Sequence, residues 1–185
     1  MAFSKKSIPD LDHLKSLLAE YRLLNKRIVL TQGSFDMIHI GHGRYLQKAK
    51  EHGDVLLVGV DDDEKIRQRK GTNRPVVPQQ ERLEMLTYLS SVDHVILKSV
   101  SAPKWQLIKL VKPDVLVATE ETYTAEQLEQ LTKWCGEVLV LKAQATTSTS
   151  AKIRRLQIGF VRTFSDRLTV RVHEAIDEVM AELKR

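Results

Sequence analysis

The chain alternates between short, continuous apolar runs and longer stretches in which apolar residues recur at helical spacing. Five runs are strand-sized and almost wholly apolar, at residues 27–31, 55–60, 94–97, 115–117 and 138–141. Between them, apolar residues spaced three or four apart predict amphipathic helices at 42–51, 79–90, 104–111 and 124–135. Strands that are continuously apolar, rather than alternating, are typical of a parallel sheet with both faces covered.

The order of these elements predicts the architecture. Five strands separated by helices indicate a doubly wound, Rossmann-like α/β fold with a parallel sheet, right-handed crossovers and helices on both faces. Leucines in residues 9–26 predict a further helix with Asp10 as its N-cap, and helices are also expected to begin at 149–156 and to span 166–184. We therefore expect an N-terminal helical extension at 1–26, a main domain at 27–157 and a C-terminal helical extension at 158–185. The last extension is expected to pack on the domain or at a homodimer contact.

Composition narrows the class of protein. The chain has 185 residues, 42% of them hydrophobic and 29% charged, which is typical of a globular domain. No apolar run approaches the roughly 20 residues that a membrane span needs, and the N-terminus lacks the apolar segment of a signal peptide. The single cysteine, Cys135, excludes an internal disulfide and a multi-cysteine metal site, and it favours a cytoplasmic location.

Charge points to an anionic partner. The net charge is +5, and basic residues are concentrated in one stretch, at Lys65, Arg67, Arg69, Lys70, Arg74 and Arg82. Aromatic residues make up only 5% of the chain, too few for a platform on which bases could stack. We therefore expect a nucleotide or phosphorylated small molecule as the partner, and we expect neither nucleic acid nor a membrane.

The segment that follows the first main strand, residues 31–42, carries the clearest chemical signal. It leaves a buried strand, turns at Gly33 and enters a helix near Gly41 and His42. In open α/β sheets, ligands bind outside the carboxyl ends of the strands. Gly33 would let backbone amides approach an anion, and the helix start would add N–H groups and a favourable dipole for phosphate.

His39 and His42 are three residues apart, so on one helical turn they would share a face. Two imidazole donors directed at one place suit a site where negative charge grows on phosphorus during a displacement. For either histidine alone, the alternative is a surface or helix-capping residue. Zinc is less favoured, because no further cysteine, histidine or glutamate lies at zinc-like spacing.

Two further segments could bind phosphate. Lys70, on a glycine-flanked loop, could reach a polyphosphate, and Arg82, rooted on a helix, could clamp an acceptor phosphate; the alternative is a solvated basic loop with an exposed Arg82–glutamate pair. A hydroxyl-rich segment runs into the helix expected at 149–156. It could be an N-cap, or it could present hydroxyls and amides to the β- and γ-phosphates, through Thr147, Ser148, Thr149 and Ser150.

The pattern Gly-x-Phe-Asp-x-x-His-x-Gly-His at residues 33–42 resembles the signature of the cytidylyltransferase-like nucleotidyltransferases. The resemblance covers residues 27–156 and implies transfer of a nucleoside monophosphate from ATP or CTP to a phosphorylated acceptor, with release of pyrophosphate. It implies a nucleotide along Gly33, Ser34 and Phe35 and over His39, Gly41 and His42. It also implies a catalytic role for both histidines and Lys70, substrate contacts from Asp36, Lys70 and Arg82, and Mg²⁺ held mainly by the nucleotide phosphates.

The run Lys-Gly-x-x-Arg-Pro-Val-x-Pro-x-x-x-Arg at residues 70–82 is similar to the family branch that adenylylates heptose 1-phosphate. The resemblance therefore favours ATP and a sugar phosphate; the alternative is a CTP-dependent enzyme acting on glycerol phosphate or another alcohol phosphate. The chain departs from the family pattern at residues 118–121, where relatives often have a Gly-Asp pair, and at Ala151, where a threonine is usual. These departures motivate a further alternative, a non-catalytic nucleotide sensor on the same fold.

Overall fold

The computed structural model describes residues 4–142, 144 and 149–183. Its centre is a parallel sheet of six strands in the order β1-β4-β3-β2-β5-β6. The strands are β1 (Ser7–Ile8), β2 (Ile28–Gly33), β3 (Val55–Asp61), β4 (His94–Lys98), β5 (Val115–Thr119) and β6 (Glu137–Leu141). The predicted α/β fold is confirmed. The additional strand is β1, a two-residue edge strand that is too short to show a hydrophobic pattern.

Seven helices connect or flank these strands in the described residues. They are α1 (Leu11–Leu23), α2 (Ile40–Lys50), α3 (Asp63–Lys70), α4 (Gln79–Thr87), α5 (Gln106–Val111), α6 (Ala125–Leu131) and α7 (Thr149–Leu183). The Asp10 side chain caps α1 by accepting the His13 N–H, as predicted. Helix α3 was not predicted, because its sequence is nearly all charged and it buries only Ile66. The predicted boundary at 157/158 falls inside α7.

The central strands β2, β3 and β5 bury both of their faces, which explains their continuous apolar runs. In β2, Val29 belongs to a cluster that also contains side chains of α2 and α4, whereas Ile28 and Leu30 belong to a second cluster with α1, α5 and α6. Leu14 and Leu18 of α1 are buried in that second cluster, and β1 pairs with β4. The segment expected to be an N-terminal extension therefore supplies a strand and a packed helix to the sheet.

The sheet order places the β2–α2 turn at a topological switch point. Strands β3 and β4 follow on one side of β2, and β5 and β6 follow on the other, so a crevice opens at the carboxyl ends of β2 and β5. Buried hydroxyls fix α2 there: Thr31 and Tyr45 lie 2.6 Å apart, and the Tyr45 hydroxyl donates to the Val117 carbonyl over 3.1 Å. Burial raises the pKa of Tyr45 to about 12, so the hydroxyl stays protonated as a donor.

The chain divides into two compact units, Met1–Thr146 and Thr147–Arg185. The sheet and helices α1–α6 form the first unit, and α7 is the described part of the second. Among the described helices, none has the length and apolar character that crossing a membrane would require.

Candidate active site

His39 and His42 form the N-terminal cap of α2. His39 is the N-cap residue, and its Nδ1 accepts the Gly41 N–H over 3.1 Å. In return, His42 Nδ1 accepts the backbone N–H of His39 over 3.3 Å. The two rings lie side by side, with centroids 4.1 Å apart, and both are half-buried. The structure therefore brings the two imidazoles together, and the helix-capping alternative also describes part of what they do.

This reciprocal cap determines which nitrogen of each ring carries the proton. A nitrogen that accepts an amide N–H cannot also hold a proton, so in each neutral ring the proton lies on Nε2. Both rings are thereby set up as Nε2–H donors. The cap also consumes the Gly41 amide, which was expected to be available to phosphate, while the helix dipole remains.

The turn before the cap is tightly folded around an aromatic ring. Phe35 is buried in the core, and a Cβ added at Gly33 would lie 3.2 Å from the Phe35 ring. Gly33 therefore makes room for Phe35. Phe35 and Met37 both have positive φ values, 48° and 52°, a conformation that costs side-chain-bearing residues free energy and must be held by contacts around it.

Asp36, between these two residues, supplies such contacts. Its carboxylate is fully buried and pairs with the Arg74 guanidinium over 2.7 Å. It also accepts the backbone N–H groups of Val76 and Val77 over 3.0–3.1 Å. In the structure its oxygens fasten the α3–α4 loop to the β2–α2 turn, and the expected contact with substrate stays a prediction.

Arg82 has a similar task. It was expected to clamp an acceptor phosphate, but its side chain is only 1% exposed. Its guanidinium donates to the backbone carbonyls of Ser34, Val77 and Asp61 and forms an ion pair with Asp63 over 2.7 Å. These partners belong to three separate segments at the carboxyl edge of the sheet, the β2–α2 turn, the β3–α3 junction and the α3–α4 loop. We therefore assign Arg82 a positioning role in place of direct phosphate contact.

Lys70 lies where a phosphate-binding cation was expected. At the end of α3, the exposed Lys70 places its Nζ 3.1 Å from Ser34 Oγ, beside the β2–α2 turn. Partial burial, together with Arg69 and Arg74 nearby, lowers the pKa of Lys70. Gly71 follows with φ 92°, which ends the helix and starts the loop.

A cluster around Asp61 was missed in the sequence. The Asp61 carboxylate is buried at the end of β3 and is surrounded by Lys98 at 3.0 Å, Arg69 at 3.0 Å and Lys65 at 3.3 Å. Burial raises the pKa of Asp61, but these cations outweigh it and leave the pKa below its usual value. Burial also lowers the pKa of Lys98 to about 8, against the attraction of Asp61. The sequence signal that could have revealed this cluster is the presence of charged residues at the carboxyl ends of β3 and β4.

The hydroxyl-rich segment is described only in part. Thr147 and Ser148 lie outside the described residues, and Thr149 and Ser150 are described only as the backbone start of α7. Their predicted contacts with the β- and γ-phosphates therefore stay predictions. In the part of the chain that the structure describes, no three histidine, cysteine, aspartate or glutamate side chains are grouped to hold a metal ion.

Comparisons with a family model and with curated proteins identify relatives of this chain. The family model described as cytidylyltransferase-like matches residues 30–156, which is more than half of the chain. Among curated proteins, the bifunctional protein HldE of Nitratiruptor sp. is 44% identical over 114 residues, covering 62% of this chain and 24% of the relative. The protein of the same name from Aliarcobacter butzleri is 35% identical over 154 residues, covering 83% and 32%. The chain thus spans a third or less of the length of these relatives.

Solved structures agree on the fold. A lipopolysaccharide core biosynthesis protein from Thermoplasma volcanium GSS1 is 29% identical, with a TM-score of 0.52 over 64% of this chain and 96% of that protein. The pantoate-beta-alanine ligase of Francisella tularensis gives a TM-score of 0.58 at 16% identity, over 80% of this chain and 69% of that one. The second similarity concerns the fold alone.

Proposed function

The chain belongs to the cytidylyltransferase-like family, and on that basis we propose that it is a nucleotidyltransferase. It transfers a nucleoside monophosphate from an NTP to a phosphorylated small molecule and releases pyrophosphate. ATP is the favoured nucleotide, and a sugar phosphate is the favoured acceptor. The observation that carries the proposal is the pair of adjacent imidazoles, each held as an Nε2–H donor, at the switch point of the sheet.

The histidines have the properties that this reaction needs in its transition state. Negative charge increases on the oxygens of the α-phosphate while the new bond forms and the old one breaks. Donors that are already oriented stabilise that charge without reorganising, and each contributes about 10²–10³ in rate. The cap bonds to the backbone of α2 provide this orientation for both rings.

The transfer itself needs no covalent intermediate. An oxygen of the acceptor phosphate attacks the α-phosphorus in line, and the bond from that phosphorus to the bridging oxygen breaks. The electron pair leaves with pyrophosphate. The acceptor phosphate is already an anion at neutral pH, so no general base has to remove a proton, and positioning by Lys70 beside Ser34 brings the anion to the nucleotide.

The other residues of the site hold the histidines and Ser34 in place, and a metal ion accompanies the nucleotide. Asp36 and Arg82 fix the loops that carry Ser34 and the histidines. Mg²⁺ would enter with the triphosphate and, when bound, would neutralise part of its charge. We place the reaction in the cytoplasm, whose reducing environment suits the free, buried thiol of Cys135.

We favour a sugar phosphate as the acceptor for two reasons, the name of a solved relative and the sequence run at residues 70–82. The solved relative at 29% identity is named for lipopolysaccharide core biosynthesis, which is assembly of a saccharide. In the structure, Arg74, Val76 and Val77 of that run are bonded to Asp36, next to the histidine cap. The family description itself keeps a second candidate open, a CTP-dependent transfer to glycerol phosphate or another alcohol phosphate.

A screen of pyrophosphate release tests the proposal. The full chain is incubated with ATP or CTP, each crossed with sugar, polyol and amino-alcohol phosphates. We expect pyrophosphate only where nucleotide and acceptor are both present, with the highest rate for ATP and a sugar phosphate. CTP with a polyol phosphate would instead select the second candidate. Nucleotide binding without pyrophosphate release in any combination would contradict catalysis and favour the nucleotide sensor.

A further inference from the structure

Helix α7 presents an unusual row of apolar side chains. Every fourth residue from Leu156 to Met180 is large and apolar, and these side chains are between 47% and 73% exposed. We call them the α7 row. Contiguous apolar surface of this extent is typical of an interaction site, because leaving it in water costs free energy. Rows of every fourth residue are also one of the ridges by which helices interdigitate.

The charges of α7 are segregated along its length. Residues 149–167 contain five basic residues and one acidic residue, whereas residues 169–183 contain four acidic residues and one basic residue, Arg171. Leu168 lies between the two halves, at the centre of the α7 row. A partner that fits this helix must therefore be apolar in the middle, acidic opposite the first half and basic opposite the second.

A second copy of α7, running antiparallel, meets all three requirements. About a twofold axis at Leu168, the centre of the row faces itself, with Phe164 opposite Val172 of the other copy. The same arrangement sets each basic half against the acidic half of its partner. A parallel pair would oppose like charges along its whole length.

We propose that α7 is a self-association element that pairs two copies of this chain through an antiparallel contact of the α7 row, centred on Leu168. The proposal does not depend on the reaction catalysed by the first unit. It assigns a partner to the apolar face of α7, and it predicts the orientation and register of the contact.

The test combines a mass measurement with a directed crosslink. Light scattering of the full chain at micromolar concentration should give twice the monomer mass of 21.1 kDa. Leu168→Asp should weaken dimerisation by about 100-fold or more, because both copies lose an apolar side chain at the axis. His173→Asp, which adds the same charge to the acidic half of α7 at an exposed position outside the row, should leave the dimer intact. Circular dichroism of both variants establishes that the first unit is folded.

The crosslink distinguishes orientations in a Cys135→Ala background. When Phe164→Cys and Val172→Cys chains are mixed and oxidised, the antiparallel contact predicts a disulfide between the two different variants. Disulfides joining only like variants would mean a parallel pair and would overturn the proposal. A monomeric wild-type chain, or a dimer that persists unchanged in Leu168→Asp, would also overturn it, since the row would then face its own chain or another partner.

Discussion

Two sets of polar residues at the carboxyl edge of the sheet look alike in sequence but are used differently. The first is the histidine cap, His39 and His42, whose rings are half-exposed and held by backbone groups of their own helix turn. The second is the buried clamp, Asp36, Arg74 and Arg82, whose charges are paired with partners from several loops. The comparison shows that a family signature mixes residues that can meet substrate with residues that hold the others in position.

The difference has an energetic basis. Buried charges are tolerated only when paired, so removing one member of the clamp leaves its partner uncompensated inside the protein. When a half-exposed ring loses a hydrogen-bond partner, water can take the place of that partner at little cost in free energy. Substitutions in the clamp should therefore reduce both stability and activity, whereas substitutions in the cap can be designed to reduce activity alone.

The largest expected effect is on catalysis by the histidine cap. His39→Asn retains a good N-cap side chain, whose oxygen can accept the Gly41 N–H, but it removes the Nε2–H donor. We expect the rate of pyrophosphate release to fall by about 10²–10³, with the unfolding midpoint nearly unchanged. His42→Ala should lose a similar factor. His13→Ala, at an exposed position on α1, is the matched control, and a His39→Asn rate close to wild type would show that the ring acts only as a cap.

Substitution in the clamp should reduce stability as well as activity. Arg82→Met removes four donor contacts and leaves Asp63 without its ion pair, so we expect the free energy of unfolding to fall by about 3 kcal/mol. Activity should fall as well, because the Ser34 loop is released. Urea denaturation and pyrophosphate release measure the two effects. A fully stable variant whose only defect is a raised KM for the acceptor would mean that Arg82 contacts substrate.

Lys70 tests the boundary between the two sets. It is exposed and makes one side-chain bond to Ser34, so Lys70→Met should change stability by less than about 0.5 kcal/mol. We expect the KM for the acceptor to rise about tenfold, through loss of a charge-assisted contact. Lys48→Met, at an exposed position on α2, is the control. A large loss of stability with unchanged KM would place Lys70 with the clamp.

The smallest effect concerns Lys98 and pH. Its pKa is about 8 in the folded chain against a usual 10.5, so between these values the unfolded chain binds more protons and stability rises with pH. Wild type should therefore gain about 1–2 kcal/mol over Lys98→Met between pH 7.5 and 9.5. Urea denaturation at both pH values measures this gain. A constant difference between the two proteins would contradict the burial of Lys98 beside Asp61.

The sequence predicted those parts of the site that depend on local pattern. The run ending at Gly33 and the helix beginning beside Gly41 located the switch point, because strand and helix periodicities change there. Arg82 lies between Glu81 and Glu84, and that spacing is typical of an exposed helix face. Its burial depends on the carbonyls of Ser34 and Asp61, which are distant in sequence, as well as on that of nearby Val77, and no local pattern can indicate the first two.

Two elements were missed for other physical reasons. Strand β1 has only two residues, and it is fixed by pairing with β4 rather than by its own pattern. Helix α3 has almost no apolar face, and its ends are fixed by the Asp62 cap and by Gly71. The two helices expected near the C-terminus form a single helix, α7. The residues between them contain no proline, and the one glycine there does not end the helix.

The most direct test of the account is a nitrogen spectrum of the side chains. In protein labelled with ¹⁵N at histidine and arginine, His39 and His42 should each show a protonated Nε2 and an unprotonated Nδ1. Adding a non-hydrolysable analogue of the preferred nucleotide should shift both Nε2 resonances and leave the Arg82 guanidinium unchanged. If Arg82 shifted while the two Nε2 resonances did not, the assignment of contacting and positioning residues would be reversed and the proposed role of the imidazoles would be wrong.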